Sequence, residues 1–203
     1  IKPDGKIIIE VQYVLKTIKD LTFDNIYHEH TNYWSVTSLD KFFKNLKLKI
    51  FDVEEIETHG GSIRVYVSQD QEMKVSKNVS DFLKNEESFG LKKISTYIDF
   101  GKKIENLKKQ VLKNIKSLKE KNSTIIGYGA PAKASTALNY FNIKDEIDFI
   151  VEDNQLKHGK FIPGVKIPIV AKEKIKNSDA AILVLAWNFY DETKKNNSSL
   201  SKE

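Results

Sequence analysis

Two histidines, a glutamate and a tyrosine lie close together in the stretch FDNIYHEH, residues 23–30. Histidine changes its charge near neutral pH, so a neighbouring carboxylate or phenol can tune it for proton transfer. On a strand, His28 and His30 would share one face and Glu29 would point to the other. Zinc would need at least one more ligand with suitable geometry. The stretch therefore leaves three interpretations open: a general base with its helpers, a metal site, or hydrogen-bonded structural histidines.

A second candidate site is the sequence GYGAPA, residues 127–132, between a predicted strand and a predicted helix. It matches the pattern G-x-G-x-x-A, in which the glycines allow a tight turn and the helix N-terminus attracts a phosphate. Glu152 and Asp153 end the next predicted strand, where a dinucleotide fold places its ribose-binding carboxylate. Lys133 could neutralise a diphosphate or simply face solvent. Because Pro131 departs from the usual dinucleotide pattern, the motif predicts either a phosphate or ribose contact, NAD included, or a structural turn.

Two further stretches carry polar groups that could contact a ligand. The sequence HGGS, residues 59–62, could offer backbone N–H groups and a hydroxyl to an anion or a sugar, or form a plain hairpin turn. Arg64, in a strand pattern, predicts a carboxylate or phosphate partner. Trp187 and Asn188 follow the last predicted strand, at the edge where open α/β sheets bind ligands. The same pair would equally serve as a core tryptophan followed by a helix cap.

The composition excludes several classes of protein. The 203 residues include 33 basic and 28 acidic ones, for a net charge of +5, and every basic residue except Arg64 is a lysine. Lysines spread along the chain indicate a solvated surface rather than a nucleic-acid groove. The absence of cysteine excludes a disulfide framework, a thiolate zinc site and a cysteine nucleophile. No apolar run approaches the roughly 18 residues of a membrane span, and no leader peptide is visible, so we expect a cytoplasmic protein.

The first 70 residues are predicted to form the last strands of an α/β domain with an appended hairpin. Residues 7–9 are three consecutive isoleucines, as in strands of parallel sheets that are covered on both faces. Residues 11–22 are spaced like a short helix and offer that strand no partner, so we expect the chain to begin inside a larger α/β domain. Ser35, or Thr37 and Ser38, can cap a helix through LDKFFKNLKL. The stretches IFDVEEIE and SIRVYVS, separated by THGG, predict an antiparallel hairpin.

The remaining chain is predicted to contain a helical linker and a second α/β domain. Residues 71–121 repeat apolar side chains at helical intervals, which predicts one or two amphipathic helices. Residues 122–193 alternate strand, helix and strand patterns, which predicts a parallel sheet with right-handed crossovers. The polar residues 194–203 are predicted to be a disordered tail. The predicted fold class is therefore α/β throughout, with a helical connection between the two halves.

Five stretches, in their order along the chain, resemble those of sugar C-methyltransferases. They are FDNIYHEH, HGGSIRVY, IIGYGAPAKASTALNY, EDNQLKHGKFIPGVKIPI and LAWNF, and the resemblance covers about residues 1–193. Members of this family use S-adenosylmethionine to methylate a ring carbon of nucleotide-linked 4-keto-deoxysugars. Five ordered motifs are a far more specific signal than any one of them.

The resemblance implies a particular domain organisation. The family has a small N-terminal zinc-binding domain with cysteines, a central Rossmann-like methyltransferase domain and a C-terminal Rossmann-like α/β domain. This chain resembles the last part of the central domain, residues 1–70, followed by the linker and the C-terminal domain. The loop that binds the methyl donor is therefore expected outside this chain, and zinc is expected only in the N-terminal domain.

The resemblance also assigns roles to single residues. It implies that His30 is the base that removes the proton alpha to the 4-keto group, and that Glu29 and Tyr27 contact the substrate or orient the base. His28 or Tyr27 would donate to the enolate oxygen. The resemblance also implies contacts to the sugar nucleotide from His28, His59, Gly60, Ser62, Gly129, Lys133 and Asn188.

The resemblance also implies a substrate, while the residue patterns leave two rival functions open. The expected substrate is linked to thymidine diphosphate, and neither nucleic acid nor a membrane is expected as a partner. One rival is an NAD-binding module of a dehydrogenase at residues 123–193, with the histidine stretch purely structural. In that case Glu152 or Asp153 would control cofactor affinity. The other rival is a non-catalytic interaction protein built around the long helices.

Overall fold

The computed structural model describes residue Lys2 and residues 4–121, 124–175 and 180–196, without the side chains of His59 and Asn196. The chain divides into two compact units. The first contains Ile1–Phe23 and Glu29–Lys103, and the second contains Asp24–His28 and Ile104–Glu203. Both units mix helices with a β-sheet, so the predicted α/β class is confirmed at this level. No helix in the described ranges is both long enough and apolar enough to cross a membrane.

The first unit is built on an antiparallel sheet. Its strands are β1 (Lys6–Gln12), β2 (Lys49–Ile56) and β3 (Ser62–Ser68), in the order β1-β3-β2. Its helices are α1 (Val14–Lys19), α2 (Val36–Asn45) and α3 (Lys77–Phe89), and α4 (Ile94–Lys121) begins in this unit and continues into the second. The hairpin predicted from the alternating pattern is confirmed, since β2 and β3 pair antiparallel with Val53 opposite Val65.

The environment of β1 was predicted wrongly. The three isoleucines were expected in a parallel sheet covered on both faces, but β1 pairs antiparallel with β3 and only one of its faces is covered. Ile7 and Ile9 pack against the core, whereas the side chain of Ile8 is 60% exposed. An antiparallel sheet with one solvated face buries alternate residues only. The missing partner strand is β3, which lies nearly sixty residues further along the chain, as the pairing of Ile8 with Tyr66 shows.

Side-chain oxygens accept from the first three backbone N–H groups of helix α2. Ser35 is the N-cap, as predicted, and its hydroxyl accepts from the Ser38 N–H at 3.0 Å. Glu86, from α3, accepts from the N–H groups of Val36 at 2.6 Å and Thr37 at 2.8 Å. These three N–H groups have no acceptor within the helix. The Glu86 carboxylate therefore joins α3 to the start of α2 inside the core.

The second unit is built on a parallel sheet, as the strand and helix spacing predicted. Its strands are β4 (Ile125–Tyr128), β5 (Phe149–Val151), β6 (Ile169–Val170) and β7 (Ala181–Val184), in the order β6-β5-β4-β7. Helix α5 (Ala132–Phe141) follows β4, and α6 (Tyr190–Asn196) ends the described chain. The tail predicted to be disordered, residues 194–203, begins inside α6, since residues 194–196 are helical, and residues 197–203 lie outside the described residues.

A packing requirement explains Gly127 in the middle of β4. A Cβ atom on Gly127 would lie 2.7 Å from Cγ1 of Ile150 and 3.0 Å from Cδ1 of Leu185. We expect Gly127→Ala to lower the free energy of unfolding by about 1–3 kcal/mol, because overpacking displaces the neighbours. Urea denaturation measures this change. The control is Gly101→Ala in α4, where an added Cβ meets no atom within 4 Å. Equal stability of the two variants would contradict the packing argument.

Candidate functional site

The stretch FDNIYHEH forms turns rather than a strand. Phe23–Asn25 is one turn of 3-10 helix, and the chain continues irregularly to His30. Asp24–His28 belongs to the second unit, whereas Glu29 and His30 belong to the first. Each half of the motif is therefore part of a different compact unit.

Glu29 and His30 line a cleft of about 370 Å³ in the first unit. The predicted substrate contact Ser62 lines the same cleft. Its described lining residues are Glu10, Val11, Gln12, Glu29, His30, Thr31, Asn32, Trp34 and Ser62. The structure thus places three of the predicted site residues around one concave surface, which is the usual form of a ligand site.

The described residues that line this cleft offer hydrogen-bond acceptors rather than cations. Two carboxylates, Glu10 and Glu29, line it, and none of the described lining residues is lysine or arginine. Glu10 is held in place, because it accepts from the Thr58 hydroxyl at 2.9 Å and from Arg64 at 3.1 Å, and Arg64 compensates part of its charge. Carboxylates accept hydrogen bonds from sugar hydroxyls. The cleft can therefore contact the hydroxyl groups of a sugar ring.

Two residues of β1 in this cleft were missed from the sequence. Glu10 and Gln12 lie on the same face of β1, and both amide atoms of Gln12 are buried without a hydrogen-bond partner among the described residues. Their spacing of two is the signal that could have revealed them, because alternate residues of a strand share a face. The spacing was not interpreted in this way because β1 was predicted to be covered on both faces, which leaves no solvated face for a ligand site.

Arg64 takes carboxylates as its partners, the first of its two predicted alternatives. It donates to Glu10 and, at 2.9 Å, to Glu54, and these residues lie opposite it on the two neighbouring strands. All three side chains are more than a third exposed. Exposed ion pairs of this kind contribute little to stability. Their evident role here is to fix the Glu10 carboxylate beside the cleft.

The HGGS stretch forms a tight turn. Thr58–Gly60 is a 3-10 turn, and the Thr58 carbonyl accepts from both the Gly61 N–H at 3.0 Å and the Ser62 hydroxyl at 3.1 Å. Gly60 adopts a φ of 83°, which favours glycine. The side chain of His59 lies outside the described part of the structure. The Gly61 N–H and the Ser62 hydroxyl therefore already donate within the turn. Ser62 can offer a ligand only the lone pairs of its hydroxyl oxygen, as an acceptor.

Tyr27 and His28 contact each other within the second unit. Their ring centroids are 6.1 Å apart with an edge-to-face orientation. The Tyr27 ring is half-buried and His28 is exposed. Aromatic pairs prefer this geometry, so the contact restricts both side chains.

Lys133 and Trp187 form a buried cluster in the second unit with Asp24. The Trp187 Nε1–H donates to a carboxylate oxygen of Asp24 at 2.7 Å, and the Lys133 ammonium lies 4.2 Å from the centroid of the Trp187 ring. Asn188, the next residue, has a buried side-chain oxygen without a hydrogen-bond partner in the described structure. Sequence reasoning missed Asp24, since its partner lies 163 residues further along the chain and no local pattern connects them.

Comparison with known proteins decides the family. Residues 57–203 match the family model of the C-methyltransferase C-terminal domain. The chain belongs to the C-methyltransferase family. It is also similar to the C-methyltransferase NovU of Streptomyces niveus, with 34% identity over 195 residues that cover 94% of this chain and 46% of NovU. This C-methyltransferase-family chain therefore spans about half the length of that curated relative.

In this C-methyltransferase-family chain, the glycine turn after β4 is occupied by the protein itself. Gly129 and Pro131 line a cleft of about 410 Å³ together with Glu152 and Asp153. The Ala130 N–H, which a phosphate would need, donates to Glu152 at 2.8 Å. Burial alone would raise the pKa of Glu152, but hydrogen bonds from the Asn154 and Ala130 N–H groups and the charge of Lys157 outweigh it and lower the pKa. Glu152 therefore stays ionised and takes the N–H group that a phosphate would use at this turn.

Packing accounts for both glycines of the motif. Gly127 is required by Ile150 and Leu185, as described above. Gly129 has a φ of 86°, and a Cβ there would lie 2.9 Å from the Cβ of Ala186. Nothing in this geometry favours the rival dehydrogenase interpretation. Within the described residues, no group of three or more histidine, aspartate or glutamate side chains could hold a metal ion.

Proposed function

We propose that this chain is part of a C-methyltransferase that acts on a nucleotide-linked 4-keto-deoxysugar, with thymidine diphosphate as the nucleotide. His30 is the proposed base. One observation carries the proposal: His30 and Glu29 line a cleft whose described walls hold two carboxylates and no lysine or arginine. Such a cleft accepts the neutral sugar ring next to a histidine, while the family membership supplies the reaction class.

The reaction assigned to His30 is removal of a proton from the carbon next to the ketone. A ring nitrogen of neutral His30 takes the proton, and the electron pair of the broken C–H bond forms the C=C bond of an enolate. Glu10 and Glu29 line the same cleft and are the proposed partners of the imidazolium that results. His28 or Tyr27 is the proposed donor to the enolate oxygen, and Glu29 is also a proposed contact to the sugar.

The methyl donor implied by the family is S-adenosylmethionine. The glycine turn at residues 127–129 does not fit this group, because Glu152 takes the Ala130 N–H and Ala186 closes on Gly129. We therefore assign none of the described residues to the donor, and the proposal for this chain is confined to substrate binding and proton removal. Residues 122–193 are the proposed Rossmann-like C-terminal domain, and residues 71–121 are its proposed linker.

The proposal predicts that the chain exchanges a substrate proton with solvent. In deuterium oxide, we expect the signal of the proton alpha to the ketone of a thymidine-diphosphate-linked 4-keto-deoxysugar to disappear from the proton NMR spectrum faster with the chain than without it. The physical reason is that a positioned base accelerates proton removal by about 10²–10⁴-fold. A matched sugar nucleotide with a 4-hydroxyl group is the control, since it has no acidic carbon-bound proton.

The same samples test the rival function. Loss of the proton signal at the spontaneous rate, together with saturable binding of NAD in a parallel titration of tryptophan fluorescence, would favour the dehydrogenase module instead. Exchange without NAD binding supports the proposed function. In the dehydrogenase case, Glu152→Ala would also weaken NAD binding, whereas the proposed function requires no such effect.

A further inference from the structure

The five residues Asp24–His28 form a short insertion of the chain into the second unit. Phe23 before them and Glu29 after them both belong to the first unit. Apart from the 3-10 turn at its start, the insertion has no regular structure. A segment of this kind depends on side-chain contacts for its order.

Two contacts within the second unit hold the insertion. The Trp187 Nε1–H donates to Asp24 at 2.7 Å, and the Thr136 hydroxyl donates to the Ile26 carbonyl oxygen at 3.3 Å. Trp187 follows β7, and Thr136 lies on α5 one helical turn after Lys133. The insertion is thus attached at two points to two different elements of the second unit.

The Asp24 contact is between groups that are costly to bury alone. Asp24 is 7% exposed. Burial raises the pKa of Asp24, while the Trp187 hydrogen bond, the charge of Lys133 and hydrogen bonds from the Asp24 and Asn25 backbone N–H groups act in the opposite direction. A hydrogen bond to a buried charged group contributes more than one between neutral groups. The Trp187 N–H is the donor among these groups that connects the insertion to the end of β7.

Lys133 is the third member of the cluster, and its ammonium lies over the face of the Trp187 ring. Lys133 is 8% exposed, and its ammonium has no hydrogen-bond partner among the residues that the structure describes. It lies 4.2 Å from the centroid of the Trp187 ring, a distance at which a cation and an aromatic face attract each other. Burial lowers the pKa of Lys133, and the charge of Asp24 opposes this shift. Trp187 therefore contacts the cation with its face and the carboxylate with its N–H edge.

We propose that Asp24, Trp187 and Lys133 are positioning residues that fix the insertion and, through it, the side chains of Tyr27 and His28 for the reaction. This inference rests on the proposed function, because Tyr27 or His28 is assigned there as the donor to the enolate oxygen. They follow Asp24 by three and four residues along the same short segment, so a contact that fixes Asp24 also restricts where they lie. Small displacements of such groups have large effects on rate.

Amide hydrogen exchange of the whole chain tests whether the cluster fixes the insertion. We expect Trp187→Phe, which keeps an aromatic face for Lys133 but removes the N–H donor, to accelerate exchange of the amides of residues 24–28 by about tenfold or more. Amides of β4 and β5 should change much less. The matched control is Tyr140→Phe, which removes a 2.6 Å hydrogen bond to Glu105 in the same unit.

A pair of variants at Asp24 separates positioning from general stability. Asp24→Asn keeps an oxygen that can accept from Trp187, so we expect it to retain most of the protection of residues 24–28. Asp24→Ala removes the acceptor and should lose that protection. Unchanged protection in Asp24→Ala and Trp187→Phe, or equal acceleration throughout β4 and β5, would overturn the inference.

The exchange of the substrate proton tests the link to the reaction. We expect Trp187→Phe to lower kcat by about 10–100-fold while KM changes by less than about threefold, since Trp187 is not among the expected contacts to the sugar nucleotide. A loosened insertion with unchanged kcat would refute the positioning role. If the unmodified chain shows no proton exchange at all, the proposed function fails, and the amide exchange still decides whether the cluster fixes the insertion.

Discussion

Replacing His30 with asparagine is expected to reduce the chain-catalysed exchange of the substrate's alpha proton by about 10²–10⁴-fold, the usual contribution of a general base. Asparagine has a similar size and keeps one hydrogen-bonding nitrogen, but it cannot accept a proton near neutral pH. The carboxylates of Glu10 and Glu29 remain on the cleft in this variant. The loss should therefore appear in kcat rather than in KM, and proton NMR in deuterium oxide measures it.

The same substitution at His158 provides the control. His158 lies in the second unit, where its Nε2 lies 2.7 Å from the Glu152 carbonyl oxygen and, since a carbonyl can only accept, donates to it. His158 is not among the described residues that line the His30 cleft. We expect His158→Asn to leave the exchange rate within about threefold of the unmodified chain, as surface changes away from a site usually do. Exchange that survives in His30→Asn would remove His30 from the role of base.

The sequence predicted those elements whose pattern has one structural meaning. Alternation around the THGG turn specified the hairpin of β2 and β3, and the strand and helix spacing after residue 123 specified the parallel sheet. The three isoleucines of β1 were misleading, because an apolar run does not reveal whether one face or both faces of a strand are covered. Only the pairing with β3 decides that, and it joins residues nearly sixty positions apart.

The site was predictable where its groups are adjacent in the sequence. His30 and Glu29 were found from their own motif, and the cleft adds Glu10 and Gln12 from a strand whose solvent face was not anticipated. The Asp24–Trp187 hydrogen bond could not be predicted, since nothing in either motif specifies the other. The glycine motif was ambiguous for a different reason: a strand-end glycine can serve a ligand or a neighbouring side chain, and only the distance from Gly127 to Ile150 identifies the second case.

The largest effect on stability is expected at Glu86. This carboxylate is 1% exposed and accepts from the first two N–H groups of α2. Tyr13 lies close to it, and burial followed by the charge of Glu86 raises the pKa of Tyr13 well above its ordinary value. We expect Glu86→Ala to lower the free energy of unfolding by about 2–6 kcal/mol, since each of two N–H groups left without an acceptor costs about 1–3 kcal/mol. Denaturation in urea measures the loss.

Two further substitutions identify the cause of that loss. Glu86→Gln keeps one acceptor oxygen at nearly the same position, so it should restore part of the stability that Glu86→Ala removes. Glu87→Ala removes an exposed glutamate from the next position of α3, and we expect a change of no more than about 0.5 kcal/mol. If Glu86→Ala were as stable as Glu87→Ala, the N–H groups of Val36 and Thr37 would have to find water or other acceptors. The buried carboxylate would then have no structural role in starting α2. A large loss in Glu86→Ala with partial recovery in Glu86→Gln instead identifies the two N–H groups as the reason why α3 carries a buried charge.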